Sequence, residues 1–248
     1  MLKIACISLL LTTNSVYSQF AGPAGTPGST AMHKDSSDFI GWANACVLEL
    51  GFMDATNPGL GIVNYGDASS PVGFPNGLVV SLGDSGSATL TFATPIINGA
   101  GPDFAVFENS FSNSYLELGF VEVSSDGINF HRFPATSNTQ TTTQIGPFEA
   151  STDAGQLYNL AGKYRASYGT PFDLQELAGI SGLDLQHITH IRIRDVVGSI
   201  SPLYSSLDQF GQAVNDPFPT PYPSSGFDLE AIGVIHQEPA GQSILEPT

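Results

Sequence analysis

Basic residues are scarce in this sequence. Lysine and arginine together number 7 among 248 residues, against 23 aspartates and glutamates, which gives a formal net charge of −16 at pH 7. We expect no nucleic-acid partner, because phosphate recognition needs clustered cationic side chains, and an anionic membrane surface is disfavoured for the same reason. Divalent cations and neutral ligands such as sugars are compatible with this charge. Acidity that only keeps a secreted protein soluble is the simpler explanation.

Cysteine is also rare, since the chain has only Cys6 and Cys46. Cys6 lies near the N-terminus, where Lys3 precedes a short apolar run at residues 4–11 and small residues follow. This arrangement predicts a signal peptide over residues 1–18, whose removal leaves one cysteine and therefore no intramolecular disulfide. No apolar run is long enough to span a bilayer. We therefore expect an exported protein without a transmembrane segment, which is secreted, periplasmic or at the cell surface.

Patterns typical of long helices are few, because 27 glycines and 17 prolines give a composition rich in turns. One segment is an exception, since its apolar residues recur at helical spacing and form a single stripe. Its members are Phe39, Trp42, Ala43, Cys46, Val47 and Leu50. The spacing predicts one short N-terminal helix that packs against the rest of the domain.

Beyond residue 77 the pattern becomes that of short strands separated by turns. The predicted strands are 78–82, 87–93, 103–108, 120–124, 128–133, 188–195 and 226–235. The run at 103–108 is almost wholly apolar, so we expect a central strand covered on both faces. Asp126-Gly127 predicts a hairpin between two of the strands, and Gly83 to Gly86 predicts another.

These patterns together predict an all-β fold, a jelly-roll-type β-sandwich with the one short helix and long loops. A single domain is expected over residues 19–237, followed by a disordered tail at 238–248. A long segment rich in proline, serine and aromatic residues, 199–225, interrupts the strand pattern. Long irregular segments in compact domains are often functional.

Five motifs carry a resemblance to a family. They are Asp-Phe-Ala-Val-Phe-Glu-Asn at 103–109, Phe-Val-Glu-Val-Ser-Ser-Asp-Gly at 120–127, Leu-Ala-Gly-Lys-Tyr at 160–164, Ile-Arg-Asp-Val-Val-Gly at 193–198 and Gly-Phe-Asp-Leu-Glu-Ala-Ile at 226–232. Taken together they resemble a group of poorly characterised bacterial cell-surface proteins. The second motif is similar to discoidin-like and galactose-binding-like jelly rolls. The resemblance implies a sandwich fold and a surface location, and it implies no established reaction.

Catalytic patterns are weak. Gly83-Asp84-Ser85-Gly86 imitates a protease nucleophile motif, but no histidine lies in the sequence context that such a base requires, and a turn explains the four residues. His187 and His190 are three apart on a predicted strand, so they point to opposite faces and do not suit one metal ion. We therefore predict a protein that is not an enzyme, with an extracellular glycan hydrolase as the alternative.

Acidic residues at strand ends form the most specific candidate site. Glu108 and Asn109 end one predicted strand, Asp195 ends another, and Asp228 begins the last. If the last strand runs antiparallel to the other two, these side chains meet at one rim of the sandwich. Calcium takes six to eight oxygen ligands of this kind, so the pattern suggests a structural Ca²⁺ site. Unrelated solvated or turn-capping acids are the alternative.

Aromatic residues in the irregular segments suggest a ligand face, because flat rings suit stacking on sugars. The candidates are Tyr158, Tyr164, Tyr168, Tyr204, Phe210, Phe218 and Tyr222. Ordinary packing of loop aromatics is the alternative. We predict an exported, non-catalytic binding or adhesion module with an extracellular glycan or small molecule as partner. An accessory role in surface uptake of a glycan or corrinoid also stays open.

Overall fold

The computed structural model describes residues 20–239, and this part of the chain is essentially all-β. Its helical content is limited to three short 3₁₀ turns, at Pro58–Leu60, Ala154–Gln156 and Leu174–Leu177. None of the helical segments in this range has the length and hydrophobicity needed to cross a bilayer. The predicted all-β class is confirmed.

Two six-stranded antiparallel sheets form the sandwich. The first sheet contains β1 (Met32–His33), β2 (Gly41–Trp42), β4 (Val80–Ser81), β6 (Phe104–Glu108), β12 (Tyr168–Phe172) and β14 (Asp228–Val234). The second contains β3 (Ala45–Glu49), β5 (Ser87–Ile96), β7 (Gly119–Ser124), β8 (His131–Arg132), β11 (Leu160–Ala161) and β13 (Ile188–Asp195). A separate pair joins β9 (Thr136–Ser137) to β10 (Leu157–Tyr158).

The strand orders bring distant parts of the chain together. The first sheet runs β1-β12-β6-β14-β2, with β4 also paired to β14, and the second runs β11-β7-β13-β5-β3, with β8 paired to β7. All of these pairings are antiparallel. As a result β6 and β14 are neighbours in the middle of the first sheet, and β7 and β13 are neighbours in the second.

Strand β6 shows how the core is built. Phe104 and Val106 face the other sheet and belong to the main core cluster. Ala105 and Phe107 face outward, where Phe39 and Trp42 cover them. Every residue of β6 is therefore buried, as the apolar run predicted for a strand covered on both faces.

The predicted N-terminal helix is wrong, because the segment 39–50 contains the strands β2 and β3 and no helix. The chain passes between the sheets here, since Ala43 N donates to Ile232 O in the first sheet (3.1 Å) and Asn44 N donates to Thr91 O in the second (2.9 Å). Val47 is 69% exposed, although a helical stripe would have buried it with Ala43. Backbone pairing with β14 and β5 thus outweighs the local helical spacing.

The two predicted hairpins have different outcomes. Asp126-Gly127 joins β7 to β8, which pair with each other, so this hairpin is confirmed. Gly83 to Gly86 is a turn, but it connects β4 in the first sheet to β5 in the second, and these strands do not pair. The hairpin prediction fails there because a turn sequence does not specify which sheet its second strand joins.

The predicted signal peptide, residues 1–18, lies outside the described residues. Of the predicted tail, only residues 238 and 239 lie inside them. Glu238 packs against the domain, since its backbone N donates to Pro95 O at 2.9 Å and its carboxylate lies 2.6 Å from His187 Nδ1.

Candidate functional site

The end of β6 and the start of β14 meet at one end of the sandwich. The two strands are antiparallel, and Glu108 pairs with Leu229, the residue after Asp228. The Asn109 side chain hydrogen-bonds the Asp228 carboxyl, which also accepts a hydrogen bond from Ser81 Oγ on the paired strand β4. Three of the four sequence-predicted metal ligands, Glu108, Asn109 and Asp228, are therefore neighbours.

Asp195, the fourth predicted ligand, ends β13 in the second sheet. Its carboxylate accepts hydrogen bonds from Phe227 N (2.8 Å) and Ser85 N (3.1 Å), so both oxygens are engaged by backbone. Gly226 permits this approach, because it has φ +75° and a Cβ there would lie 2.6 Å from Asp195 Oδ1. The structure thus places Asp195 behind the other three, in contact with the backbone that leads into β14.

Glu117 is a carboxyl that the sequence reasoning missed. It lies two residues before β7, and it and Asp228 line the same cavity. The strand-end criterion used for the other acids did not reach it, because the predicted strand begins at residue 120, three residues after Glu117. We call Glu108, Glu117 and Asp228 the outer carboxyls.

Burial and mutual repulsion dominate the electrostatics of the outer carboxyls. Burial raises the pKa of Glu108 and of Glu117 well above the ordinary value for glutamate. The charges of Glu117 and Asp228 add to the shift at Glu108, and those of Asp228 and Asp216 add to the shift at Glu117. Burial also raises the pKa of Asp228 to about 6, although two side-chain hydrogen bonds act in the opposite direction.

A second group of buried acids lies outside the cavity lining, and we call Asp84, Asp195 and Asp216 the inner carboxyls. Each is at most 3% exposed. Burial raises the pKa of Asp84 to about 6 and raises those of Asp195 and Asp216 well above the ordinary value for aspartate. Each accepts at least one backbone hydrogen bond, which for Asp216 comes from Leu118 N (3.0 Å), next to Glu117. Asp195 and Asp216 therefore hold backbone next to Asp228 and Glu117, whereas Asp84 holds the backbone of Ala55.

Two of the outer carboxyls, Glu117 and Asp228, line a surface cavity of about 330 Å³. Its polar lining includes Asn109, Glu117 and Asp228. Its rim carries Phe111, Phe148 and Tyr222, which are 88%, 74% and 43% exposed. The volume is within the range typical of small-molecule sites, about 300–1,000 Å³. Exposed aromatic rings around a polar, acidic lining are suited to an amphipathic ligand.

Hydrogen bonds between loops hold the rim in place. Tyr115 Oη donates to Pro147 O at 3.0 Å, which joins the β6–β7 loop to the segment that carries Phe148. Phe218 N donates to Ile145 O at 2.9 Å, which joins that segment to the one carrying Tyr222. The rings of Phe148 and Tyr222 then lie 5.7 Å apart between centroids. The cavity is therefore preorganised by three segments that are far apart in sequence.

No protein-family model matches the chain. A search of the curated proteins also finds no match to it. The resemblance suggested by the motifs is therefore supported at the level of the fold alone, as a β-rich, jelly-roll-like sandwich.

The seven aromatics predicted to bind ligand do not form one face. Tyr222 lines the cavity. Tyr164 and Phe218 are buried, at 1% and 5% exposure, so their rings are closed to a ligand. Tyr158 stacks on Phe20, and Tyr168 packs against His33 and Arg165. Tyr204 and Phe210 are exposed but do not line the cavity. Phe111 and Phe148 complete the rim, and neither was a sequence candidate.

Within residues 20–239, no three histidine, cysteine, aspartate or glutamate side chains stand in an arrangement that could hold a metal ion. The four predicted calcium ligands therefore receive no support as one metal site. One reason is that Asp195 lies apart from Glu108, Asn109 and Asp228.

Proposed function

We propose that this protein is an exported, non-catalytic binding module that takes a small carbohydrate-like ligand into the cavity at the acidic end of its sandwich. The observation that carries the proposal is the combination of three exposed aromatic rings with a polar, acidic lining in one preorganised cavity. Isolated exposed aromatics are unremarkable, but three that converge on one cavity mark a binding site.

The chemistry of the cavity suits a pyranose. Aromatic faces pack against the apolar C–H face of a sugar ring, while carboxylate and amide oxygens accept hydrogen bonds from its hydroxyls. Asn109, Glu117 and Asp228 supply such acceptors beneath the rim formed by Phe111, Phe148 and Tyr222. The inter-loop hydrogen bonds reduce the ordering that binding requires, which favours affinity.

A glycan and metabolite array on the purified protein, followed by calorimetry with the ligand found, tests the proposal. Phe148→Ala should weaken binding about tenfold, because a stacked ring contributes roughly 1.4 kcal/mol of binding free energy. Phe210→Ala is the matched control, since Phe210 is 69% exposed and lies outside the cavity. A ligand whose affinity falls with Phe210→Ala and not with Phe148→Ala would place the site elsewhere.

Export is the part of the proposal supported by the N-terminal pattern and by the resemblance to surface proteins. Intact-mass measurement of the protein recovered outside the cytoplasm should give a chain that begins at Gln19. An extracytoplasmic species that retains Cys6 would contradict cleavage at this position.

Calcium is a second candidate occupant, which one specific observation favours. Oε1 of the buried Glu108 has no hydrogen-bond partner, and an unsatisfied buried carboxylate oxygen is what a hard cation would coordinate. Such a site would involve Glu108, Asn109 and Asp228, without Asp195. The lack of a metal-holding group of side chains in the described part of the chain weighs against it.

A further inference from the structure

The charged side chains that line the cavity are all acidic. Two carboxyls, Glu117 and Asp228, line it, and the described lining contains no lysine, arginine or histidine. Burying carboxylates without a partner is costly, so a site of this kind favours an occupant that supplies positive charge.

Four of the six lysines and arginines within residues 20–239 have partners away from the cavity. Arg132 and Arg192 both pair with Glu122, at 2.8 and 2.6 Å. Lys163 Nζ donates to Leu157 O, and Lys34 Nζ donates to Pro75 O. Within residues 20–239, the charges that act on Glu108 and Glu117 are those of other carboxyls.

Glu108 precedes the cavity-lining residue Asn109, and it is a buried carboxyl on which no compensating positive charge from residues 20–239 acts. Its side chain is 1% exposed, and Oε2 accepts a hydrogen bond from Ser110 N at 2.9 Å. Oε1 has no partner, and Glu117 and Asp228 are the charged groups that act on this carboxyl. A buried carboxylate oxygen without a partner is uncommon in native structures, and a bound water, ion or ligand is one way to satisfy it.

The rim adds a second feature of cation recognition. The exposed residues Phe111, Phe148 and Tyr222 line the same cavity as the two carboxyls. A cation held over an aromatic face is attracted by the ring, and it is attracted more strongly when partly desolvated. Aromatic rings and carboxylates in one cavity therefore suit an organic cation better than a metal ion, which prefers oxygen ligands on every side.

We infer that the ligand carries a protonated amine, as in an amino sugar, and that its ammonium group binds between Glu117 and Asp228 beneath the aromatic rim. The inference rests on the proposed carbohydrate-binding function and narrows its ligand class. The ammonium donates hydrogen bonds to the two carboxylates, and the sugar ring stacks on Phe148 and Tyr222. This arrangement needs two carboxylates and no metal-type coordination shell.

A matched pair of probes tests the charge directly. Glucosamine tetramer and N-acetylglucosamine tetramer share the same linked rings and differ in whether the nitrogen is an ammonium or a neutral amide. Titration calorimetry at neutral pH and low salt, with chelator present, should give binding at least about tenfold tighter for the glucosamine tetramer. Lysinamide, which carries protonated amines without a sugar ring, should bind more weakly than the glucosamine tetramer.

Three variants test whether the preference for the glucosamine tetramer arises in the cavity. Asp228→Asn and Glu117→Gln should each reduce the preference for the glucosamine tetramer about tenfold, because each removes one charge from the cavity. Asp35→Asn makes the same change on a side chain that is 65% exposed and lies outside the cavity, and it should leave the preference unchanged. Circular dichroism and a cooperative melt for each variant confirm that it is folded.

The possible results separate the inference from the proposed function. If the N-acetylated tetramer binds as tightly as the glucosamine tetramer and Phe148→Ala weakens it, the carbohydrate site stands and the ammonium inference fails. If lysinamide binds as tightly as the glucosamine tetramer, the amino-sugar assignment fails. If no array ligand or probe binds, both proposals fail. A calcium-dependent, chelator-reversible rise in melting temperature without amine binding overturns the inference in favour of a metal.

Discussion

Lowering the pH from 7 to 5 is expected to stabilise the ligand-free protein against unfolding. The outer carboxyls Glu108, Glu117 and Asp228 have pKa values in the folded state above those in the unfolded chain. Between the two values the folded state binds more protons than the unfolded state, so the free energy of unfolding falls as pH rises. The stability is therefore greatest at acidic pH and is lost as the pH rises through the folded-state values.

The pKa shift of Asp228 gives a lower limit for the gain in unfolding free energy between pH 7 and pH 5. Its pKa is about 6 in the folded protein, and the ordinary value in an unfolded chain is about 4, so it contributes about 1 kcal/mol between pH 7 and pH 5. Asp84, with a pKa of about 6, contributes a similar amount. The four other buried carboxyls, whose pKa values are also raised, act in the same direction. Urea unfolding in chelator at several pH values measures the gain.

Asp228→Asn should raise stability at pH 7 and flatten the pH dependence. Asparagine keeps an oxygen that can accept the Ser81 hydrogen bond, and it removes a carboxyl whose ionisation disfavours folding. The expected gain at pH 7 is about 1–3 kcal/mol. Asp35→Asn, which makes the same change on an exposed side chain, is the control. It should change neither the stability at pH 7 nor its dependence on pH. A native protein that gains stability from pH 5 to pH 7 would show that these carboxyls are compensated in the folded state.

Much of the fold follows from local patterns, and the exceptions share one cause. The apolar run of β6 specified a strand buried on both faces, and Asp126-Gly127 specified a hairpin, because both depend on nearby residues. Residues 39–50 carry two periodicities, since Cys46, Leu48 and Leu50 also alternate toward the core. The strand spacing prevails because β5 and β14 supply hydrogen-bond partners from far along the chain. Such partners are not visible in the segment itself.

The same limit applies to the candidate site. The antiparallel arrangement of β6 and β14 brought Glu108, Asn109 and Asp228 together as the strand-end argument required. The argument did not extend to Asp195, because the pattern of β13 gives no information on which sheet the strand joins. Phe148 was missed for a related reason. Its position over the cavity depends on hydrogen bonds between loops, which follow from the tertiary fold and from no periodic pattern.

Gly198→Ala is expected to destabilise the protein strongly, because the inner carboxyls leave no space at this glycine. A Cβ on Gly198 would overlap Asp216 Oδ1 and lie 2.7 Å from the Asp216 carbonyl oxygen. The Asp216 carboxyl cannot move away easily, since its other oxygen accepts the Leu118 N–H at 3.0 Å and the residue is 3% exposed. Gln144 Nε2 also donates to Gly198 O at 2.9 Å, so the glycine backbone is held from a second direction.

Overpacking of this kind costs about 3 kcal/mol, at the upper end of the usual range. For a domain of this size the loss corresponds to a fall in melting temperature of roughly 6–12 °C. Gly59→Ala is the matched control, because a Cβ there would meet only Asn57 Oδ1 at 3.5 Å, and it should change the melting temperature little. Since Asp216 binds the backbone next to Glu117, the variant should also weaken ligand binding below its melting temperature. Equal melting temperatures for Gly198→Ala and Gly59→Ala would show that Asp216 is not fixed against Gly198, and the inner carboxyls would then not support the cavity.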